Sequence, residues 1–450
     1  MSTGRRPAAT ARGTARRRKL TDAAGALFAR DGYHNVTVWD IAAAAGVSGP
    51  AIYRHFAGKP AILAELMRAG FDEIDAIRTA ALAELASAQP AERLEAAVRA
   101  LAAWVVRHPE FGVLWRREFR HLAAADAAEM AERMSAGPVE MIGELRRARP
   151  ELTADDARLV AWAALSVLGS VSDHRIRPPR PELERLTAAM AVDVLRVALP
   201  APGRPAAAAG AHGETDAGAH GEADAGAHGE AAAGAHGEAA AGAHGEAAAG
   251  AHGEADGGGP APSSRREMLI AQAVRLFWEF GYHGVTMEDI GAACGIAGPS
   301  VYKHFDGKAD VLRAAVRRLS ERLLGTVDGL GPVPAEPERA AGRVALLVER
   351  YVAAVVADRG LVATFQAEAH NLPDRDRAEA RRMVGTYARH WEEAVAAALP
   401  DRTGAEIRMR IYATFAVIND SVRTRSLAEQ ADVAAKLQAA ALAALDVNRT

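Results

Sequence analysis

The sequence predicts an all-α protein made of two tandem copies of one helical unit. Three observations carry this. A 23-residue stretch occurs twice: Thr37–Lys59 reads TVWDIAAAAGVSGPAIYRHFAGK and Thr286–Lys308 reads TMEDIGAACGIAGPSVYKHFDGK, aligned without a gap at an offset of 249. Around both copies run alanine-rich segments of helical apolar period, broken by proline and glycine, with no alternating runs of β-branched residues. Between the copies lies a low-complexity stretch that neither unit needs for its core.

Taken in order, residues 1–15 read as a disordered basic arm carrying Arg5, Arg6 and Arg12, continued by the run Arg16–Lys19. A first helix is expected over 16–31, its apolar stripe formed by Leu20, Ala24, Leu27 and Phe28, with Gly32 ending it. Thr37 is a good N-cap for the next helix, and Asp40 stands where a carboxylate reaches back to the cap. Val38, Ile41, Ala42 and Ala45 form its short apolar face, and Gly46 suits a left-handed C-terminal cap. Ser48 is placed to cap a further helix over Gly49–Phe56, with Pro50 in its first turn. Ile52 and Phe56 point inward there, while Tyr53, Arg54 and His55 lie on or beside the outer face. These elements have the grammar of a helix-turn-helix, whose second helix can enter a major groove. A long fourth helix starts near Lys59 and runs toward Ala86, and five more are expected near 91–107, 110–124, 126–148, 153–172 and 182–199.

Residues 201–262 read as a linker built on the octad Ala-His-Gly-Glu-x-x-x-Gly, with His212, His220, His228, His236, His244 and His252. A spacing of eight across flexible glycines fixes no ligand geometry, so no metal site is expected. As a flexible coil it spans about 40–45 Å on average. The pattern then restarts, with helices expected near 264–280, 287–294, 298–304, 308–328, 338–357, 360–370, 375–398, 404–424 and 428–446. The echo continues past the helix-turn-helix: Glu118, Leu122 and Asp126 match Glu368, Leu372 and Asp376 at offset 250, and Asp173 matches Asp420 at offset 247.

A chain of 450 residues calls for two or more domains. The single cysteine, Cys294, excludes a disulfide framework and a Cys-based zinc site and fits a reducing cytoplasm. No apolar run has the length of a membrane span, so no membrane partner is expected. The net charge of −3 hides an asymmetry: residues 1–60 carry ten Lys/Arg against three Asp/Glu, a balance of +7, and residues 263–310 carry five against six, a balance of −1. The first copy has the electrostatic footprint of a nucleic-acid binder and the second does not.

The repeated string Gly-Pro-x-x-Tyr-[Arg/Lys]-His-Phe-x-Gly-Lys, preceded each time by the same short helix, resembles the DNA-binding domain of the TetR family of bacterial repressors. That resemblance implies two complete subunits in one chain: DNA-binding domains at 16–60 and 263–309, and helical ligand-binding and dimerisation domains at 61–200 and 310–450. It implies double-stranded operator DNA and a small-molecule effector as partners, no cofactor, and pairing of the two halves through their last two helices near 153–199 and 404–446. By position it assigns phosphate contacts to Thr37, Tyr53, His55 and Lys59 and to Thr286, Tyr302, His304 and Lys308. Ser48, Gly49, Pro50 and Ala51, with Gly298, Pro299 and Ser300, fall at the base-facing start of the recognition helix. Arg54 and Lys303 stand where a second tyrosine is frequent in the family, and Arg54 can read guanine bidentately. Candidate effector contacts are Trp104, Trp115, His121, Trp162, Phe365, His370, Trp391 and Asn419.

Two other readings compete. A catalytic domain tethered to a DNA reader would need a motif, and the chain has no Gly-rich phosphate loop, HExxH, cysteine nucleophile or paired-carboxylate signature. Alternatively only the first half binds DNA and the second is a pairing or sensing module. The −1 balance favours that reading, and the intact GPSVYKHFDGK string opposes it.

Overall fold

The computed structural model describes residues 11–200 and 264–447, and every regular element among them is helical. Residues 1–10 of the basic arm and the linker with its histidines lie outside the described residues. The first half comprises α1 (Ala11–Asp31), α2 (Val38–Ala45), α3 (Gly49–Ile52), α4 (Lys59–Glu84), α5 (Pro90–Arg107), α6 (Pro109–Val113), α7 (Ala124–Ala148), α8 (Ala154–Gly169) and α9 (Arg180–Leu195). The second comprises α10 (Arg265–Phe280), α11 (Met287–Ala293), α12 (Gly298–Val301), α13 (Lys308–Gly325), α14 (Pro337–Ala357), α15 (Arg359–Glu368), α16 (Asp374–Ala398), α17 (Gly404–Arg423), the short α18 (Arg425–Ala428) and α19 (Val433–Leu445).

Local chemistry sets the boundaries of the short helices. Thr37 caps α2 by accepting from the Asp40 amide, and Asp40 accepts in return from the Thr37 amide at 2.8 Å. Thr286 and Asp289 do the same for α11. Gly46 ends α2 in the left-handed conformation, φ 66°, which a side chain would resist. Ser48 occupies the N-cap position of α3, but its hydroxyl makes no capping bond. Leu20, Phe28, Ile41, Ile52, Phe56, Ile62 and Met67 close the core of this three-helix unit onto α4.

Several features depart from the sequence reading. The helix expected over Gly49–Phe56 ends at Ile52. The first helix begins at Ala11, so residues 11–15 are helical and not part of an arm. The helix expected over 110–124 is split: α6 gives way to a wide π turn, Leu114–Glu118, and a tight 3-10 turn, Phe119–His121. The last helix starts only at Val433, because Asp432 takes a left-handed φ of 57° after the separate α18. Finally, Thr153 and Thr403 cap α8 and α17 in the same way, which sets an offset of 250 through these helices. Asp173 then aligns with Arg423 and Asp420 with Ser170, so the two aspartates are not equivalents.

The halves meet where α8 and α9 pack on α17 and α19. Small side chains allow close approach: Ala157, Ala161, Ala164 and Ala191 share one core with Ala413, Val417, Ala440 and Ala444. Leu159 of the first half is in turn part of the second half's core. No helix among the described residues is long and apolar enough to cross a membrane.

Candidate nucleic-acid interface

Each half presents the start of its α3 or α12 helix outward. In the first, Arg16, Gly46, Val47, Ser48, Pro50, Ala51 and Arg54 line an open cleft of about 350 Å³. Ser48, Pro50, Tyr53 and Arg54 are exposed, Tyr53 to 59 %. In the second half Pro299, Tyr302 and Lys303 are exposed, while Gly298 and Ser300 are half-buried. His55 and His304 are half-buried beside them. The surface therefore carries aromatic, cationic and small residues together, the set that phosphate contact and close backbone approach require.

Several groups expected on phosphates are engaged internally. The Thr37 amide and hydroxyl both meet Asp40, the hydroxyl at 2.6 Å, and Thr286 is held likewise by Asp289 at 2.7 Å. Lys59 Nζ donates to the carbonyls of Tyr33 at 2.7 Å and Val36 at 2.9 Å, and sits 4.2 Å from the centre of the Tyr33 ring. Lys308 repeats this toward Val285 and the Tyr282 ring, at 2.7 and 4.5 Å. Burial lowers the pKa of both lysines. Arg17, in the basic run, bonds Glu65 and the His55 carbonyl and lies over the Phe56 ring; Arg266 covers Phe305 in the same way. Exposed cations remaining on this face of the first half include Arg16 and Arg54.

Trp39 is a surface residue that motif reading passed over. It is 61 % exposed, and a Cβ on Gly49 would fall 1.8 Å from its ring. Its counterpart in the second half is Glu288, packed against Gly298. A change from tryptophan to glutamate at one repeat position was the available signal.

The candidate effector residues do not converge on one pocket. Trp104 is buried on α5, donates to Glu73 at 2.8 Å and stacks on His108. Trp115 meets Phe71 and Phe119 edge-on. Trp162 and Phe365 are half-buried against the second half's core. Trp391 is fully buried in a ring cluster with Tyr351, Tyr387 and Phe415, and Asn419 accepts from the Tyr351 hydroxyl at 3.0 Å.

His121 and His370 lie elsewhere, at a junction between the two helix-turn-helix units. His121 stacks on Tyr33 at 4.9 Å, His34 lies 4.3 Å from His283, and His370 packs on Gly32. Arg120 crosses to Glu368 of the other half. Glu118 and Glu368, both buried, accept from the Tyr33 and Tyr282 amides at 3.3 and 3.1 Å. The repeated Gly-Tyr-His run was thus the sequence trace of this junction. No group of three or more His, Cys, Asp or Glu among the described residues can hold a metal ion.

Residues 20–66 and 269–315 each match the bacterial regulatory proteins of the tetR family, and residues 87–173 match a tetracyclin repressor-like C-terminal domain. The chain carries domains of the TetR family. Two TetR-type DNA-binding domains stand in tandem, and a TetR-type C-terminal domain follows the first. The chain is 34 % identical over 109 residues to the HTH-type transcriptional repressor KstR2 of Mycobacterium tuberculosis, covering 24 % of this chain and 54 % of that protein. It is 41 % identical over 59 residues to KstR2 of Rhodococcus jostii, covering 13 % and 29 %. The chain thus spans about half or less of the curated relatives it matches. Among solved structures it is similar to AibR in complex with isovaleryl coenzyme A and operator DNA, at 20 % identity and TM-score 0.34, covering 39 % of this chain and 97 % of that one. It is also similar to KstR2 of Mycobacterium tuberculosis, at 25 % identity and TM-score 0.29, covering 36 % and 83 %.

Proposed function

We propose that this TetR-family chain acts as a single-chain pseudo-dimeric repressor, presenting two unlike DNA-binding surfaces to one imperfectly palindromic operator. The observation that carries this reading is that α8 and α9 of one half share a core with α17 and α19 of the other, so that both surfaces belong to one body. Ser48, Pro50, Ala51 and Arg54, with Pro299, Ser300 and Lys303, face the bases, while Gly49, expected among them, is buried beneath the Trp39 ring. Tyr53, His55, Tyr302 and His304 contact phosphates, with Thr37 and Thr286 at the helix ends beside them. Gly298 keeps the backbone close to the groove.

The two half-sites differ because the readers differ at Ser48/Ala297, Ala51/Ser300, Arg54/Lys303 and Trp39/Glu288. Glutamate accepts from cytosine N4 and repels phosphate, whereas tryptophan does neither. The centres of the half-sites are separated by one or more helical turns, about 34–36 Å each.

Selection from a random DNA pool, combined with light scattering, tests the reading. The expected result is a bipartite site with unequal halves, bound by a species of one chain mass, 47.2 kDa. A perfectly symmetric site whose halves tolerate mutation equally, or a stable two-chain species, would refute it.

A further inference from the structure

We infer that the bundle between the halves carries a charge code that favours an unlike partner, so that a first half selects a second half over its own copy. This deepens the pseudo-dimer reading and rests on it. Among the described residues four ion pairs cross between the halves. Lys436 meets Asp156 at 2.7 Å, Arg116 meets Asp420 at 2.7 Å, Arg410 meets Asp193 at 3.7 Å, and Arg120 meets Glu368. Burial makes these contacts consequential: the side chains of Lys436, Arg116 and Arg410 are only 10, 12 and 3 % exposed.

The offset of 250 shows what each charge would meet in a like pairing. The equivalent of Lys436 is Leu186, that of Arg410 is Val160, and that of Asp420 is Ser170. Two first halves would therefore set Asp156 against leucine, Asp193 against valine and Arg116 against serine, each mismatch occurring twice. In two second halves, Gln366 would replace Arg116 opposite Asp420, and Ala443 would replace Asp193 opposite Arg410. In like pairings Arg116 keeps Asp173 of its own half and Arg410 keeps Glu406, so the penalty falls chiefly on Asp156 between first halves and on Asp420 between second halves; a buried carboxylate that has lost its cation keeps its desolvation cost without the attraction that offsets it. Discrimination is strongest against pairs of first halves. Between second halves, Glu406 stands where Asp156 stood and can still meet Lys436.

The test starts from the intact chain. A site for a specific protease is inserted in the segment 201–263, the purified protein is cleaved, and two preparations of different isotopic mass are mixed. Native mass spectrometry then reads how the halves are combined. The expected result is exchange into first-half–second-half pairs, with pairs of first halves at least about tenfold below their statistical share. Statistical mixing into like and unlike pairs would overturn the charge code while leaving the pseudo-dimer standing. Cleavage that releases single halves from the outset would overturn the pairing itself.

Charge exchange gives a second readout. Asp156→Lys sets two cations together and raises like pairs after cleavage, Lys436→Asp sets two carboxylates together, and the double exchange restores the unlike pair. Equal behaviour of the single and double exchanges would also overturn the code.

Discussion

Lys59→Met separates two roles for one lysine. The resemblance assigns its amine to a DNA phosphate, whereas the structure has it tying the carbonyls of Tyr33 and Val36 to the start of α4. Hydrogen bonds to a charged group contribute about 1.5–3 kcal/mol each when enclosed. Lys59 is half-buried, so water replaces part of this and about 1 kcal/mol per bond is the better figure. The Tyr33 ring below the ammonium adds about 0.5–1 kcal/mol. Removal should therefore loosen residues 33–56 by about 2–3 kcal/mol. Lys308, with one carbonyl bond and a ring at 4.5 Å, should matter about half as much.

A loosening of about 2 kcal/mol corresponds to roughly thirtyfold faster hydrogen exchange of the α2 and α3 amides, at a tenfold change per 1.4 kcal/mol. Arg54→Ala is the control: Arg54 is exposed on the DNA-facing surface. It should leave exchange unchanged and weaken operator binding by about 1–3 kcal/mol with relaxed preference at one base pair, the loss of one bidentate base contact. If Lys59→Met leaves exchange as in the parent and lowers the log–log salt slope of operator binding by about 0.9, the amine is a phosphate ligand and the fastening role is wrong.

The other predictions follow from contacts of the same kind. Arg116→Met leaves Asp173 and Asp420 without their shared cation, at a cost of about 3 kcal/mol, the lower end of the range for a broken buried pair because Asp173 is a third exposed; urea unfolding reads this, and an unchanged midpoint would contradict it. Gly49→Ala drives its new Cβ into the Trp39 ring and turns that ring away, changing tryptophan emission and operator affinity with little loss of stability, whereas Gly298→Ala meets the Glu288 Cγ at 3.0 Å and its Cα at 3.4 Å and is tolerated; equal effects of the two would count against Trp39 as a surface contact. Burial, then the neighbouring arginines, hold His121 and His370 at about 3, well below the ordinary 6.5. The unfolded chain therefore binds more protons below about pH 6.5, and stability should be complete above that value and fall as pH drops toward about 3. Melting temperature against pH should accordingly slope less in His121→Gln than in the parent, and parallel slopes would exclude a role for this histidine.

How much of this was legible depends on the range over which each signal acts. The capping pairs Thr37–Asp40 and Thr286–Asp289 and the left-handed Gly46 are local, so three or four residues of sequence suffice to place them. The role of Lys59 depends on carbonyls 23 and 26 residues away, which no motif reports. The candidate effector residues were chosen as aromatic and polar side chains on the right helices, a criterion that cannot separate a pocket wall from a packed core. Trp104 and Trp391 are core by that measure, and His121 and His370 belong to the junction.

The comparison of the two copies held information that pairwise matching misread. Matching identical letters gives Asp173 and Asp420 at offset 247, a shared residue with a shared role. Matching the two capping threonines gives offset 250, and the aspartates become a charge from each half converging on one guanidinium, Arg116. Identity favours positions that both halves need alone, such as Glu118 and Glu368, each holding the tyrosine amide of its own DNA-binding unit. Positions at which one half prefers the other to its own copy must instead differ, because identical halves about a two-fold axis repeat every contact and pair equally well with themselves. In a duplicated chain that preference is therefore written in the residues that diverge, Val160 against Arg410 and Leu186 against Lys436, and these are the positions that a search for the repeat discards.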